Sequence, residues 1–464
     1  IMSLQIEQIR SKEEILEMYL TVVPEGSNVY SITSGADFYF DKEVDELTLA
    51  ELTVLASLPQ NPSLLSPTKS IDPERGARLL QERRDYVFAQ LERNLDYINR
   101  KSEELGNPVN LTQEMIDEAR GEVLSYQNPD FDILAPHFVT YAEKLLQERG
   151  YNNGEPFDIT ELQTGGYKIY TTLDMTAQQI AEEQVKLGVD QYGRRYGGYN
   201  AALVALEPKT GEIIAMAGSY DYFGEPFPEN CISGLTCKYE PSVNVLDTLQ
   251  SYGSTMKSHV YYMAIMDGLI SPGSQLLDIP IRLGSYAPKN YEGGFVGASS
   301  ARRMLSSSRN IPAIYLIDQI GVDRFVAEMK KWGYTTFTNP NGYGPAISIG
   351  GADVKLIEHA QGYSVFANGG TVTQHEVIAK IVDRDGNVIY EHKPELERVA
   401  DERGIFLIND ILNGNRGGPP GRSFDGRDLA GKTGTSEDQK ENLFATYTPE
   451  LVVVGWIGNN NNDP

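Results

Sequence analysis

The sequence has no long apolar run and little positive charge. No stretch approaches the roughly eighteen consecutive apolar residues that a membrane-spanning helix requires, so nothing in the 464 residues is expected to cross a bilayer. The 40 lysine and arginine residues are outnumbered by 65 aspartate and glutamate residues, which gives a net charge of -25. That balance argues against nucleic acid, and against an anionic membrane surface, as a direct partner.

Histidine and cysteine are scarce as well. Five scattered histidines and the absence of a C-x-x-C motif predict no metal site, and we expect no cofactor. Cys231 and Cys237 are separated by five residues of loop-like composition, a spacing that allows either a reduced pair or a small disulfide. No signal peptide is predicted, because residues 1–6 have the pattern of a helix that is already under way.

One serine and one lysine are spaced for nucleophilic catalysis. Ser254 and Lys257 follow Gly253 and precede an apolar run that stops at Gly268, a pattern that predicts one buried helix of about four turns. Residues three apart share a helix face, so the serine hydroxyl and the lysine amine can meet. The lysine can activate the serine if burial or nearby positive charge lowers its pKa. By itself the motif is weak: roughly one S-x-x-K is expected by chance at this length, and residues 66–69 are a second copy.

Two later motifs distinguish the first copy from the second. Ser308 and Asn310 form S-x-N, which offers a hydroxyl to relay a proton and an amide to hold a substrate peptide. Residues 432–435 form K-T-G-T, a cation and hydroxyls suited to a carboxylate. Similar triplets at 209–211 and 242–244 precede the first motif, and the former has the composition of a hairpin turn. Only one ordered set of the three motifs can therefore be drawn through the chain.

The order and spacing of these motifs resemble the transpeptidase domain of penicillin-binding proteins. A Y-x-P-x-N-Y segment at residues 286–291, ahead of S-x-N, is also similar to that family. The resemblance implies a domain over residues 199–464 with an antiparallel sheet flanked by helices, of the β-lactamase/transpeptidase type, without the family's final helix. Strands are predicted at 201–206, 213–217, 432–435, 443–447 and 451–457, the last of them nearly all apolar and therefore central.

Residues 1–124 resemble the back half of the glycosyltransferase domain of bifunctional, class A, penicillin-binding proteins. The matching segments are residues 12–20, 39–40, 49–56 and 83–84. Amphipathic patterns predict almost only helix here, among them a helix over 46–58 and one that Thr112 caps. The whole chain is therefore expected to be α+β and multidomain, with an all-α, lysozyme-like remnant first. Residues 125–198, which contain a predicted strand at 167–174 and helix at 176–189, are expected to be a linker region.

The family's catalytic acids and membrane anchor precede the position that corresponds to residue 1. The resemblance therefore implies no glycosyltransferase activity for this chain, and membrane contact only through that anchor. It also implies the extracytoplasmic face of a bacterial membrane, a setting in which we expect Cys231 and Cys237 to form a disulfide.

The resemblance further implies a D,D-transpeptidase that cross-links peptidoglycan stem peptides ending in D-Ala-D-Ala. Ser254 would attack the penultimate D-Ala carbonyl and Lys257 would take its proton. Ser308 would pass a proton to the leaving D-Ala, and Asn310 would orient the substrate amide. β-Lactam antibiotics, which mimic the D-Ala-D-Ala end, would trap Ser254.

The third motif would hold the substrate's terminal carboxylate. Lys432, Thr433 and Thr435 would bind it, and Gly434 would let the substrate approach the backbone. The backbone N–H groups of Ser254 and Thr435 would form the oxyanion hole.

Three departures from the family pattern lie near these motifs. Tyr252 stands where proline is usual, Ser258 where another proline is usual, and Leu443 where tryptophan is usual. None removes a reacting group. Two alternatives stay open: a hydrolase, either a carboxypeptidase or a β-lactamase, and a non-catalytic β-lactam or peptidoglycan sensor.

A long-lived acyl-enzyme is expected. Class A β-lactamases deacylate through a glutamate and a water, and no segment between Ser308 and Lys432 matches that glutamate. Glu328 and Glu358 are predicted to be solvated helix residues.

Overall fold

The computed structural model describes residues 9–26, 29–68, 70, 73–127, 133–284, 286–291, 293–338, 342–413, 428–436 and 440–464. Two compact units divide the chain, Ile1–Asp132 and Ile133–Pro464. The helix predicted at residues 1–6, and the lysine of the second S-x-x-K copy, lie outside the described residues. In the described ranges no helix combines the length and the apolar character that a membrane span needs.

The first unit is helical, as predicted. Its helices are α1 (Lys12–Val22), α2 (Ile32–Phe40), α3 (Leu49–Leu55), α4 (Pro62–Leu65), α5 (Pro73–Arg93), α6 (Leu95–Glu104) and α7 (Gln113–Gly121). A short hairpin, β1 (Pro24–Gly26) with β2 (Val29–Tyr30), separates α1 from α2. Thr112 caps α7 through a bond from the Met115 N–H, as the sequence predicts.

The single helix predicted over residues 46–58 is wrong in its extent. Thr48 forms a capping box with Glu51, so a new helix, α3, starts at Leu49 after a separate short turn at Val44–Glu46. Pro59 belongs to another short turn, Leu58–Gln60, because it has no N–H with which to continue the helix.

The second S-x-x-K copy lies in the interior of the first unit. Ser66 is buried, and its hydroxyl lies 3.1 Å from the Tyr39 hydroxyl, which donates to the Glu25 carbonyl. The serine is therefore a structural hydroxyl in a packed core.

The second unit combines helices with one large antiparallel sheet. Its helices are α8 (Pro136–Glu148), α9 (Ile159–Thr164), α10 (Met175–Gly188), α11 (Lys257–Met266), α12 (Ala301–Ser306), α13 (Asn310–Ile320), α14 (Val322–Lys331), α15 (Leu356–Ala367) and α16 (Glu402–Leu412). Its strands are β3 (Lys168–Thr171), β4 (Asn200–Leu206), β5 (Ile213–Ala217), β6 (Leu249–Ser251), β7 (Gln275–Asp278), β8 (Gly297–Ser300), β9 (Asp353–Lys355), β10 (Thr371–Val372), β11 (Ile378–Val382), β12 (Val388–Glu391), β13 (Glu397–Arg398), β14 (Ala430–Thr435), β15 (Asn442–Tyr447) and β16 (Val452–Gly458).

The large sheet has the order β14-β15-β16-β4-β5, so the strand that carries the K-T-G-T motif is at one edge. β16 is the central strand, as its apolar sequence predicts. Both of its faces are covered: Val454 and Trp456 belong to the main core with α11 and α15, while Val453 and Ile457 pack with α10. The sheet therefore lies between helical layers and gives the edge strand a rigid support.

Residues 133–198 pack within the second unit. β3 pairs with β11 in a three-stranded sheet, and α10 packs on β4 and β5. Helix α8, which the sequence analysis did not predict, buries Phe138, Tyr141 and Leu145 in the main core. These residues are an integral part of the unit.

The cysteine pair is joined. The Cys231 and Cys237 sulfurs form a disulfide that closes a short loop, which confirms the expected pairing.

Candidate active site

A cleft of about 660 Å³ lies beside the edge strand β14. Residues of all three motifs line it, together with the loop that precedes S-x-N. The lining residues are Ser254, Tyr286, Ala287, Pro288, Lys289, Asn290, Tyr291, Ser307, Ser308, Arg309, Asn310, Ile349, Thr433, Thr435 and Ser436. The fold thus brings together segments that are up to 182 positions apart, from Ser254 to Ser436.

Ser254 lies on a tight turn that packs against β14. The turn, Gly253–Met256, has 3-10 geometry and runs directly into α11. Gly253 has a φ of +51°, and a Cβ there would lie 2.8 Å from the Thr435 nitrogen, so only glycine fits. The close approach sets the backbone N–H groups of Ser254 and Thr435 near each other.

Gly434 serves this packing as well. A Cβ at Gly434 would lie 2.7 Å from the carbonyl oxygen of Tyr252, and Gly434 is not among the residues that line the cleft. The predicted role of this glycine in substrate approach stays a prediction. The glycine is required because the nucleophile turn contacts the backbone of β14.

Lys257 is fully buried beneath the cleft. Its Nζ donates to the Ser308 carbonyl and to Asn310 Oδ1, each at 2.6 Å, and lies 3.3 Å from Ser308 Oγ. Burial, and then the positive charges of Lys432 and Arg309, hold the pKa of the Lys257 amine well below its usual value. Ser254 Oγ is not a hydrogen-bond partner of Nζ, so the expected contact is not formed, since Ser308 and Asn310 occupy the amine.

Ser308 lies between the two motif lysines. Lys432 Nζ donates to Ser308 Oγ at 2.7 Å, and Lys257 Nζ lies 3.3 Å from the same oxygen. The backbone of Ser308 has a φ of +58°, a conformation that non-glycine residues seldom adopt and that clusters at functional sites. One hydroxyl therefore contacts the amines of two lysines, a placement suited to moving a proton.

Lys432 is also buried, and it does not reach the cleft surface. Its Nζ contacts Ser308 Oγ and the Thr433 carbonyl, and burial lowers its pKa to about 7. The hydroxyl-bearing residues Thr433 and Thr435 line the cleft. A substrate carboxylate in the cleft would therefore contact Thr433 and Thr435 directly. Lys432 would act on it only through its nearby charge.

A buried carboxylate that the sequence analysis missed supports Asn310. The Asn310 N–H donates to Asn290 Oδ1, and Asn290 Nδ2 donates to Asp278 Oδ1 at 2.7 Å. Asp278 is completely buried. The Y-x-P-x-N-Y segment could have identified Asn290 from the sequence. No local pattern identifies Asp278, because its partner Asn290 is twelve residues away.

Glu328 and Glu358 differ from one another. Glu328 forms a surface pair with Lys331, as a solvated residue would. Glu358 is only 5% exposed, and it accepts hydrogen bonds from Thr335 and Thr336, so the prediction that it is solvated is wrong. It is not a cleft residue, and no carboxylate occurs among the described residues that line the cleft.

The three departures from the family pattern are accommodated below the cleft. Tyr252 is buried and donates to the Ile347 carbonyl, Ser258 Oγ lies 3.3 Å from the Tyr363 hydroxyl, and Leu443 is in the main core. None of these side chains lines the cleft.

The competing motif copies are structural. The Asn244 side chain accepts from the Leu246 N–H and caps a short turn, and Lys209 lies in the turn between β4 and β5. In the described ranges no group of three or more metal-ligating side chains is placed to hold an ion.

Family models match both parts of the chain. The model described as "Penicillin binding protein transpeptidase domain" matches residues 201–463, and the model described as "Transglycosylase" matches residues 1–92.

Two curated proteins show the extent of the similarity. Penicillin-binding protein 1F of Bacillus subtilis (strain 168) is 29% identical over 474 residues, which cover 100% of this chain and 60% of that protein. Penicillin-binding protein 1A of Rickettsia felis is 25% identical over 587 residues, which cover 99% of this chain and 68% of that protein.

Solved structures share the fold. Penicillin-binding protein 1A from Haemophilus influenzae superposes with a TM-score of 0.74 at 21% identity, covering 98% of this chain and 82% of that one. The PonA1 protein from Mycobacterium tuberculosis, in complex with penicillin V, gives 0.60 at 20% identity and covers 71% of this chain and 86% of that one. The Haemophilus influenzae protein thus shares with this chain a helical region followed by a sheet-and-helix domain.

Proposed function

This chain belongs to the class A penicillin-binding proteins, and on that premise we propose that its peptidoglycan transpeptidase domain works through an acyl-enzyme on Ser254. The observation that carries the proposal is the buried amine of Lys257, which is held one turn after Ser254 by Ser308 and Asn310. Such an amine loses its proton far more readily than an exposed lysine and so suits a general base.

The first half of the reaction forms the acyl-enzyme. Ser254 Oγ attacks the carbonyl of the penultimate D-Ala while Lys257 takes the hydroxyl proton. The backbone N–H groups of Ser254 and Thr435 receive the developing oxyanion, and their closeness across Gly253 supports this role. The bond to the terminal D-Ala then breaks, and Ser308, between Lys257 and Lys432, passes a proton to the leaving amine.

The second half of the reaction forms the cross-link. The amine of a second stem peptide attacks the acyl carbon, the Ser254–acyl bond breaks, and the proton returns to the serine by the same relay. Asn310 orients the donor amide, with Asn290 and Asp278 holding it in place.

The proposed substrates are stem peptides that end in D-Ala-D-Ala, with β-lactams as their mimics. The threonine hydroxyls of Thr433 and Thr435 bind the terminal carboxylate, and the Lys432 charge stabilises it from below. Gly434 contributes by letting β14 pack on the nucleophile turn.

We propose that residues 1–124 are the C-terminal part of a glycosyltransferase domain and that residues 199–464 are the transpeptidase domain. Residues 125–198 are the predicted linker region, and within it residues 133–198 support the transpeptidase domain through β3 and α10. The domain would act at the extracytoplasmic face of a bacterial membrane. The disulfide supports that location, because such bonds persist in oxidising compartments.

The penicilloyl adduct is expected to survive denaturing gel electrophoresis. The cleft offers no carboxylate among its described lining residues, so water lacks the glutamate base that class A β-lactamases use for deacylation. An amine acceptor needs less help because it is the better nucleophile. Hydrolysis of a chromogenic cephalosporin should accordingly be far slower than acylation. Rapid multiple turnover would favour the hydrolase alternative.

The 464-residue chain is expected not to polymerise glycan strands. A pocket of about 310 Å³ in the first unit presents one carboxylate among its described lining residues, Glu82, and Arg83 is next to it. That arrangement does not provide a pair of catalytic acids. Incubation with lipid-linked disaccharide should yield no polymer from a sample that labels fully with penicillin. Polymer formation would refute this expectation without affecting the transpeptidase proposal.

A further inference from the structure

A buried hydrogen-bond chain begins one residue after the nucleophile. Thr255 Oγ1 lies 2.7 Å from His359 Nε2, and His359 Nδ1 lies 2.9 Å from the Tyr334 hydroxyl. The Tyr334 hydroxyl lies 3.2 Å from His259 Nε2. All four side chains are completely buried. None of them carries a role in the reaction described above.

The direction of every bond in this chain follows from the carbonyl at its end. Thr255 Oγ1 donates its single proton to the Tyr252 carbonyl at 2.6 Å, so it must accept from His359 Nε2–H. Burial lowers the pKa of His359 to about 3, so the ring is neutral and its Nδ1 accepts from the Tyr334 hydroxyl. The Tyr334 oxygen then accepts from His259 Nε2–H. All three bonds therefore run in the same direction, from His259 towards Thr255.

Thr255 is held at two points by one helix. His359 and Tyr363 are four residues apart on α15 and so share a face. His359 binds the Thr255 hydroxyl, and the Tyr363 hydroxyl donates to the Thr255 carbonyl at 2.7 Å. Helix α15 packs on the central strands β16 and β4. The threonine is thereby tied to a helix that packs on the centre of the large sheet.

Contacts on two sides fix the turn that carries Ser254. On one side the turn contacts β14, where Gly253 and Gly434 leave no free space. On the other side the Thr255 hydroxyl ties the Tyr252 carbonyl to His359, across the turn. The Ser254 N–H lies between these two attachments. Its direction therefore depends on both.

We propose that His359 is a positioning residue for acylation, which acts through Thr255 to aim the Ser254 N–H at the oxyanion of the transition state. The inference rests on the proposed function of Ser254. Loss of one oxyanion-hole donor costs about 10²–10³ in rate, and a misdirected donor should cost less. We expect His359→Leu to slow penicillin acylation by about 10- to 100-fold.

Saturation kinetics of acylation separate positioning from simple binding. The rate constant of the covalent step should fall in His359→Leu, while the dissociation constant of the initial complex stays within about twofold, because the cleft lining is untouched. His359→Gln should recover most of the rate, since its amide offers an N–H to Thr255 and an oxygen to Tyr334. Thr255→Val should resemble His359→Leu, and the double variant should be no slower than the slower single variant.

His137 provides the matched control. It is a buried histidine whose Nε2 lies 2.8 Å from Ser219 Oγ, and neither residue lines the cleft. His137→Leu therefore loses a comparable bond and should lower the melting temperature without slowing acylation of the folded protein. If His359→Leu does not fold, the covalent rates of the other two variants test the positioning role. His359→Gln should then be faster than Thr255→Val.

Three results would overturn the positioning role. They are a normal covalent rate in Thr255→Val and His359→Leu, a loss confined to the initial complex, or a His359→Gln variant as slow as His359→Leu. Failure of the proposed function is distinct from these outcomes, because the wild-type chain would then carry no label on Ser254.

Discussion

Replacing Ser254 with alanine should abolish covalent labelling by a fluorescent penicillin. The side chain of Ser254 is at the cleft, on a turn that glycine positions fix against β14, and alanine removes only its oxygen. Without that oxygen no acyl-enzyme can form, so the signal on a denaturing gel should fall to background. The fold should persist, because no core contact depends on the hydroxyl.

Ser66→Ala is the matched control for this result. Ser66 starts the other S-x-x-K copy, but it is buried against Tyr39 in the first unit. Its loss should leave labelling unchanged and lower stability by about 1 kcal/mol, the usual worth of a buried hydrogen bond. Undiminished labelling of Ser254→Ala, or loss of labelling in Ser66→Ala, would reverse the assignment.

Replacing Lys257 with alanine should slow acylation by about 10²–10⁴, the range typical of a lost general base. That range corresponds to about 2.7–5.4 kcal/mol of transition-state stabilisation. The structural reason is that the Lys257 amine is buried, with a pKa held well below its usual value, and is linked to Ser308 and Asn310. Stopped-flow or quenched labelling measures the rate, and thermal unfolding checks that the variant is folded.

The role of Lys257 as a base also predicts the direction in which the acylation rate changes with pH. Only the neutral amine accepts a proton, so the acylation rate of the wild-type chain should rise with pH as Lys257 deprotonates. Burial lowers the pKa of Lys432 to about 7, so the titration of this lysine also contributes to the pH dependence of the rate. In Lys257→Ala the rise that belongs to Lys257 should disappear. An exposed lysine, Lys330, is the control, and Lys330→Ala should behave as wild type.

A normal rate in Lys257→Ala would exclude the amine as base. A Lys257→Ala variant that keeps the wild-type rise of rate with pH would also contradict the role, because the rise would then belong to another group.

The features that local pattern encodes were predictable. The ordered motifs identify the family, and the apolar run after Ser254 identifies a buried helix, found as α11 behind a short 3-10 turn. The hairpin of β4 and β5, and the central position of β16, followed from turn composition and apolar content. Each of these elements, and each single motif, is encoded in one short stretch of sequence, and the family follows from the order of the motifs.

The features that depend on distant partners were not predictable. Asp278 is a buried carboxylate whose use becomes visible only when Asn290 and Asn310 are placed beside it. Glu358 appeared solvated because charged residues usually are, yet Thr335 and Thr336 satisfy it in the interior. His359 belongs to an apolar helix, and only the fold shows that its ring faces Thr255.

Gly434 was singled out from the sequence, but the reason for glycine at this position also depends on a distant partner. A glycine between two threonines suggests room for a ligand, but the atom that approaches it is the Tyr252 carbonyl of the nucleophile turn. Packing between the two motifs is enough to require glycine there.

Mass mapping of the penicillin-labelled chain tests the central claim most directly. The wild-type protein is acylated, denatured and digested, and the modified residue is read from the peptide that carries the added mass. We expect a single penicilloyl group on Ser254, whose hydroxyl is at the cleft between Lys257 and the K-T-G-T strand. A label on Ser308, on Ser66 or on any other residue would contradict the account, and so would the absence of any covalent adduct.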